Sequence, residues 1–151
     1  MNTAVYEDNP LYDTFIKAIM VLPVFFILMG IYYLITNQSE DAIGMFATTL
    51  LMGAIYWAIF PRKYQILENR IRIVLGGPFN FDIPLDNVET AREPEGVSLG
   101  INFVTCFSGK NAVEIIRKRG MRVAITPSDR DMFLDNLNKV LNEWSRQKGK
   151  I

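Results

Sequence analysis

Hydrophobic and polar positions divide the chain into three regimes. Two runs, Ala18 to Ile35 and Ala42 to Phe60, contain no Asp, Glu, Lys or Arg, and the polar segment Thr36-Asn37-Gln38-Ser39-Glu40-Asp41 separates them. The second run has 19 residues. At about 1.5 Å per helical residue it reaches about 28 Å, close to the roughly 30 Å hydrocarbon thickness of a bilayer. The pattern predicts a transmembrane helical hairpin over residues 16–61. A soluble protein with two buried core helices is the competing reading, but buried helices rarely exclude charge for so long. Pro23 lies inside the first helix, where a lost backbone bond predicts a kink.

After Pro61 the period changes from continuous to alternating. Tyr64-Gln65-Ile66-Leu67, then Glu68-Asn69, then Arg70-Ile71-Arg72-Ile73-Val74 reads as a β-hairpin, with Asn69 expected to take a positive φ in a two-residue turn. Further strands are expected at about Phe79 to Pro84, Asn87 to Glu93, Leu99 to Thr105, Ala112 to Arg117 and Met121 to Ile125. Gly76-Gly77-Pro78, Asp86-Asn87, Glu95-Gly96, Ser108-Gly109-Lys110-Asn111 and Lys118-Arg119-Gly120 separate them. That makes seven strands. Thr126-Pro127-Ser128-Asp129 then offers an N-cap hydroxyl, a proline at the first helical position and an acid three residues after the cap. Phe133, Leu137, Val140, Leu141 and Trp144 form one apolar stripe along a helix from Asp129 to Trp144. Seven short strands leave a face uncovered, and this helix supplies the cover.

Residues 1–15 read as a polar N-terminal tail, with Asn9-Pro10 interrupting any helix. The remaining division is a domain over 62–145 and a basic C-terminal tail over 146–151. Charge sharpens this picture. The formal net charge is zero, yet residues 1–60 hold one Lys against five acids, a net of −4, and residues 61–151 hold fifteen Lys and Arg against eleven acids, a net of +4. Lys17 precedes the first span, Arg62 and Lys63 follow the second, and the loop between the spans has no positive residue. That asymmetry predicts a multi-pass protein of the cell inner (cytoplasmic) membrane with both termini in the cytoplasm. Met1 to Asp13 has no basic n-region, so the first run is expected to stay as an anchor rather than be cleaved. Tyr32 and Tyr33 at one end, with Tyr56 and Trp57 at the other, suit the two interfaces or ordinary helix packing equally well. Thr49 and Gly53 are spaced to allow close approach of the first helix or of another copy, which leaves a homo-oligomer open.

Candidate chemistry is sparse. The chain has no histidine and a single cysteine, Cys106. An intramolecular disulfide is therefore impossible, and the commonest general base and metal ligand is missing. Cys106 has no histidine to activate it and reads as a small strand residue. Asp129 with Asp131, and Asp86 with Glu89, are the candidate acid–base pairs, but acids in a first helical turn complement the helix dipole and Asp86 suits a turn, which are the stronger readings. Gly76-Gly77-Pro78 lacks the lysine and helix of a phosphate loop. No charged residue lies within the spans, which argues against translocation. The modest basic excess, without a recognised motif, argues against nucleic acid as a partner. No catalytic, cofactor-binding or metal-ligating residue is assigned, and no cofactor is expected. The densest basic feature is Arg117-Lys118-Arg119-Gly120-Met121-Arg122. With Arg62 and Lys63, the residues Arg117, Lys118, Arg119 and Arg122 are the candidate membrane- or partner-binding set, each cation near an anionic leaflet adding about 1 kcal/mol.

Three segments carry a family resemblance: Tyr64-Gln65-Ile66-Leu67 turning into Arg70-Ile71-Arg72-Ile73, then Ile83-Pro84-Leu85-Asp86-Asn87-Val88, then Val123-Ala124-Ile125-Thr126-Pro127-Ser128-Asp129. From Ala18 to Trp144 the chain resembles the bacterial pleckstrin-homology (PH-like) membrane proteins, a transmembrane hairpin followed by a PH-like domain. The resemblance implies a membrane-anchored α+β protein, with a seven-stranded β-sandwich or barrel in two near-orthogonal sheets capped by a C-terminal helix. It also implies a role in binding lipid, peptide or protein. Lys63, Arg70 and Arg72 match the loose phosphoinositide pattern of eukaryotic PH domains, but Glu68-Asn69 is too short to cradle a headgroup. The expected function is that of a non-enzymatic, membrane-anchored interaction module that engages a membrane protein, a peptide or anionic lipid headgroups at the cytoplasmic face. The alternative is an integral-membrane subunit or assembly factor whose hairpin makes the key contacts.

Overall fold

The computed structural model describes residues 4–94, 100–106, 109 and 111–148. Its order is β1 (Ala4–Asp8), α1 (Thr14–Ile35), α2 (Ser39–Ile59), β2 (Lys63–Leu67), β3 (Arg70–Val74), β4 (Asn80–Pro84), a short 3-10 turn (Leu85–Asn87), β5 (Val88–Arg92), β6 (Gly100–Phe103), β7 (Val113–Arg117), β8 (Arg122–Ile125) and α3 (Arg130–Lys148). The architecture is α+β, with two long apolar helices, two four-stranded sheets and a C-terminal helix. The sheets run β1-β2-β3-β4 and β5-β7-β8-β6.

Among the described residues eight strands replace the expected seven, and the extra one corrects the reading of residues 4–8 as part of a tail. β1 pairs antiparallel with β2, with Tyr6 opposite Ile66, Glu7 opposite Gln65 and Asp8 opposite Tyr64. The chain thus leaves the sheet at β1, makes the helical pair and returns as the neighbouring strand. The helices are an excursion from a β-hairpin. Segment 9–13 then crosses to the second sheet, where Leu11 N–H donates to Thr126 O at 2.8 Å and Asp13 N–H to Thr105 O at 3.2 Å. Asp13 caps α1 through Oδ1, which accepts from Ile16 N–H at 2.8 Å, so the helix begins before Lys17. α1 runs unbroken past Pro23.

The start of α3 differs from expectation as well. The Thr126 hydroxyl accepts from Thr105 N–H at 2.9 Å and bonds the Thr105 hydroxyl at 2.8 Å, so it is spent across the sheet rather than on the helix. Asp129 is the cap, its Oδ1 accepting from Met132 N–H at 3.0 Å. Pro127 bridges to Pro10 instead of opening the helix. Asp8, buried at the end of β1, accepts from the Ser128 hydroxyl, from Asp129 N–H at 3.1 Å and from Asn9 N–H at 2.7 Å. Replacing Asp8 with Ala strands these donors and is expected to cost about 2 kcal/mol. Chemical unfolding of the full chain in detergent measures it, and a loss indistinguishable from zero would contradict the role of β1 as a clamp on α3.

α3 continues through Lys148, so residues 146–148 of the expected basic tail are helical, while Lys150 lies outside the described residues. The β2–β3 register leaves Glu68-Asn69 as the turn, as expected, but Asn69 is not among the residues with positive φ; Asn37 and Asn111 are. The expected turns at Glu95-Gly96 and over Ser108 to Lys110, and the strand start at Leu99, fall outside or partly outside the described residues. Cys106 is buried just beyond β6 rather than within it. β6 pairs with β8 in parallel, a crossover that a run of short strands joined by turns does not predict.

The alternating positions converge as the sequence implies. Ile66, Ile71, Ile73, Ile83, Val113, Ile115, Val123 and Ile125 face Phe133, Leu137 and Val140 of α3 in one core. The helical pair packs separately, and Thr49–Gly53 does not mediate its contact. The space beside Gly53 is open, and the Thr49 hydroxyl donates to Met45 O. Close approach occurs instead where the Phe46 ring lies on Gly30.

Candidate membrane and partner interface

At the junction of helices and sheets, local chemistry locks α2 to the domain. Gly76 and Gly77 form a seat beneath Trp57: a Cβ built on Gly76 would lie 1.5 Å from the Trp57 carbonyl oxygen, and one on Gly77 would lie 2.1 Å from its ring. Gly77 has φ of 60°, a conformation few residues other than glycine adopt. In sequence the dipeptide signals only a turn. The Arg62 guanidinium stacks 5.7 Å from the Trp57 ring, a contact of about 0.5–1 kcal/mol where exposed. The Tyr12 hydroxyl donates to Pro61 O, and its ring meets Phe60 edge-on at 6.0 Å. Burial pushes the Tyr12 phenol up to about 12, with the Arg62 charge acting in the opposite direction. Tyr64, buried beneath, donates to Phe103 O at 3.0 Å, and burial raises its phenol well above the usual range.

The structure divides the six candidate cations into two groups. Arg62 and Lys63 lie at the junction, where Lys63 pairs with Glu7; that bond, with one from Gln65, holds the Glu7 carboxyl below its ordinary value. Arg117, Lys118, Arg119 and Arg122 sit at the β7–β8 turn. The opposite end of this strand pair, where Val113 faces Ile125, runs into Thr126 and hence the Leu11–Pro61 junction. β7 has five residues, so at about 3.3 Å each the turn lies about 13 Å from that end. There Asn87 holds the hairpin, with its Nδ2 donating to Arg119 O at 2.9 Å, its Oδ1 accepting from Arg119 N–H at 2.9 Å, and its carbonyl accepting from Lys118 N–H at 2.8 Å.

Within the hairpin the cations have distinct duties. Arg122 reaches the buried Glu114 at 3.4 Å, and Arg92 approaches the same carboxylate at 3.8 Å. Arg117 donates through Nε to Met121 O and lies 5.8 Å from the Phe81 ring. Lys118 and Arg119 are exposed. Lys118 also lines a groove of about 510 Å³ between β5 and the C-terminal half of α3, together with Val88, Glu89, Leu141 and Trp144.

The loose Lys63–Arg70–Arg72 pattern does not form a pocket. Arg72 makes two bonds to Asp82, at 2.8 and 2.9 Å, and Arg70 a third at 3.1 Å. Arg72, and secondarily Arg70, hold the Asp82 carboxyl below the usual carboxylate range. The acids once paired in sequence have separate structural partners: Asp129 caps α3, and Asp86 accepts from Trp144 Nε1 at 2.8 Å. Among the described residues, no group of three or more His, Cys, Asp or Glu side chains converges as metal ligands would.

Ala58 and Ile59 on α2, with Leu75, Phe79, Phe81 and Phe103 on the domain, line an apolar groove of about 310 Å³ at the junction. Phe81 and Phe103 stack there with ring centres 5.4 Å apart. Phe79 and Phe81 follow α2 by two strands and Phe103 lies on β6, so these rings meet the end of α2 only in space. Comparison with known proteins gave no match to a family model, a curated protein or a solved structure.

Proposed function

We propose that the protein is a non-enzymatic, membrane-anchored interaction module: α1 and α2 cross the cytoplasmic membrane, and a PH-like domain stands at its cytoplasmic face to engage a protein or peptide. The observation that carries this reading is the insertion of the helical pair between two hydrogen-bonded strands, β1 and β2. A hairpin that leaves and re-enters one sheet keeps β1 and the whole β-domain on the same side of a bilayer. Only 6% of the most apolar window of either helix is buried, whereas a core helix of a soluble protein would be mostly covered. The helices span 22 and 21 residues, enough to cross the hydrocarbon. Two four-stranded sheets with one amphipathic C-terminal helix are compatible with the PH-like reading; the eighth strand β1 and the parallel β6–β8 pair depart from it.

The partner side of the domain is the β7–β8 hairpin with the groove between β5 and α3. Lys118 lines that groove and Arg119 is exposed beside it, which favours an acidic protein segment as the partner. Orientation is tested with single cysteines in a Cys106→Ala background. Ser39→Cys is expected to react with an impermeant maleimide in intact bacterial cells, and Ser145→Cys only after lysis. Labelling of Ser145→Cys from outside, or recovery of the chain in the soluble fraction, would overturn the reading.

A further inference from the structure

The turn Gly76-Gly77-Pro78-Phe79 rests directly on the last turns of α2. The uncharged part of α2 runs from Ala42 to its end at Ile59, so Trp57, two residues before that end, lies about 3 Å inside the apolar length. A turn seated on Trp57 shares that depth. Phe79 is 52% exposed, which is costly for a large apolar ring in water and normal for one in the interfacial layer of a bilayer. The groove beside it has Ala58 and Ile59 as one wall, and these continue the surface of α2 that faces lipid on the membrane reading above. We infer that this groove receives a phospholipid acyl chain of the cytoplasmic leaflet and that Phe79 is embedded at the headgroup–acyl boundary. The domain thereby touches the membrane through a strand turn as well as through its two helices.

The inference rests on the membrane reading, and its physical basis is continuity. A groove between a lipid-facing helix and three phenylalanines would hold water poorly, while lipid is the most concentrated apolar species at that depth. The same seat that fixes α2 against the domain also fixes Phe79 at its level, because neither Gly76 nor Gly77 leaves room for the turn to slide past Trp57.

Nitroxide labels test depth in the full chain reconstituted in phosphatidylcholine–phosphatidylglycerol vesicles, again in the Cys106→Ala background. Labels replace Phe79, Glu68 at the exposed β2–β3 turn, the end of β2 opposite the junction, and Leu50 in the middle of α2 (76% exposed). Position 79 is expected to collide with oxygen several-fold more, relative to a water-soluble nickel chelate, than position 68 does. Position 50 reports on the membrane reading alone. If 50 lies in lipid while 79 matches 68, the inference fails and the anchor stands; if 50 lies in water, both fall. Protection of position 79 from both reagents would mean that protein, such as a second copy, covers the groove, and would also overturn it. A second readout avoids the cysteine background: Phe79→Trp should add fluorescence that acyl-brominated lipids quench and aqueous iodide does not, and the reverse pattern would reject the assignment.

Discussion

Phe133→Ala should be the most damaging single truncation in the β-domain, costing about 3–5 kcal/mol. Against a typical domain stability of about 5–15 kcal/mol, that loss leaves the fold marginal. Phe133 is fully buried on α3, and its ring meets Tyr6 of β1 edge-on at 6.1 Å and Tyr64 of β2 at 6.5 Å. It thus joins the helix to the two strands that flank the helical excursion, and a cavity there loosens both at once. Chemical unfolding in detergent, followed by near-ultraviolet circular dichroism, measures the loss. Met132→Ala, one residue away but exposed, should change stability by less than about 0.5 kcal/mol. A Phe133→Ala cost no larger than that of Met132→Ala would contradict the core described above.

Gly76→Ala should come next, at about 3 kcal/mol, by overpacking rather than by a cavity. The added methyl would lie 1.5 Å from a backbone carbonyl of α2, and backbone cannot rotate out of the way as a side chain can. Either the last turn of α2 or the β3–β4 turn must move, and the Arg62–Trp57 contact moves with it. Gly53→Ala supplies the comparison. The space beside Gly53 is open, so the gain in helix propensity should leave that variant neutral or up to about 1 kcal/mol more stable. The two variants differ by the same methyl group, so equal unfolding midpoints would mean that α2 is not seated on the domain. Trp57 emission should shift in Gly76→Ala and stay unchanged in Gly53→Ala.

Both results bear on how a module of this kind works. Helices that merely tether a domain through a linker leave its orientation free, whereas this domain is held to its helices at three places. Trp57 sits on Gly76-Gly77, Tyr12 bonds Pro61, and segment 9–13 straps onto Thr105 and Thr126. Under the proposed function, the exposed hairpin with Lys118 and Arg119 is then held in a constant direction relative to the bilayer. Partner recognition would depend on that direction as much as on the charges.

The chain itself determined the parts that depend on local order. The two uncharged runs specify long apolar helices, alternation after Pro61 specifies strands, and the Phe133–Leu137–Val140 stripe specifies a helix laid on them, because each period follows from backbone geometry alone. The basic residues were equally legible, but their grouping was not. Tertiary structure decided which contacts those elements make. β1 is only five residues long, and its partner Ile66 lies sixty positions beyond Tyr6, across both helices. The Thr126 hydroxyl was available to cap α3 or to cross to Thr105, and the sheet's proximity gave it to Thr105 while Asp129 took the cap. Gly76 and Gly77 signal a turn in sequence, yet their need to be glycine comes from Trp57, which only the folded chain brings against them. Contacts of long sequence separation are set by packing complementarity, and no local pattern encodes which distant residue fills the space.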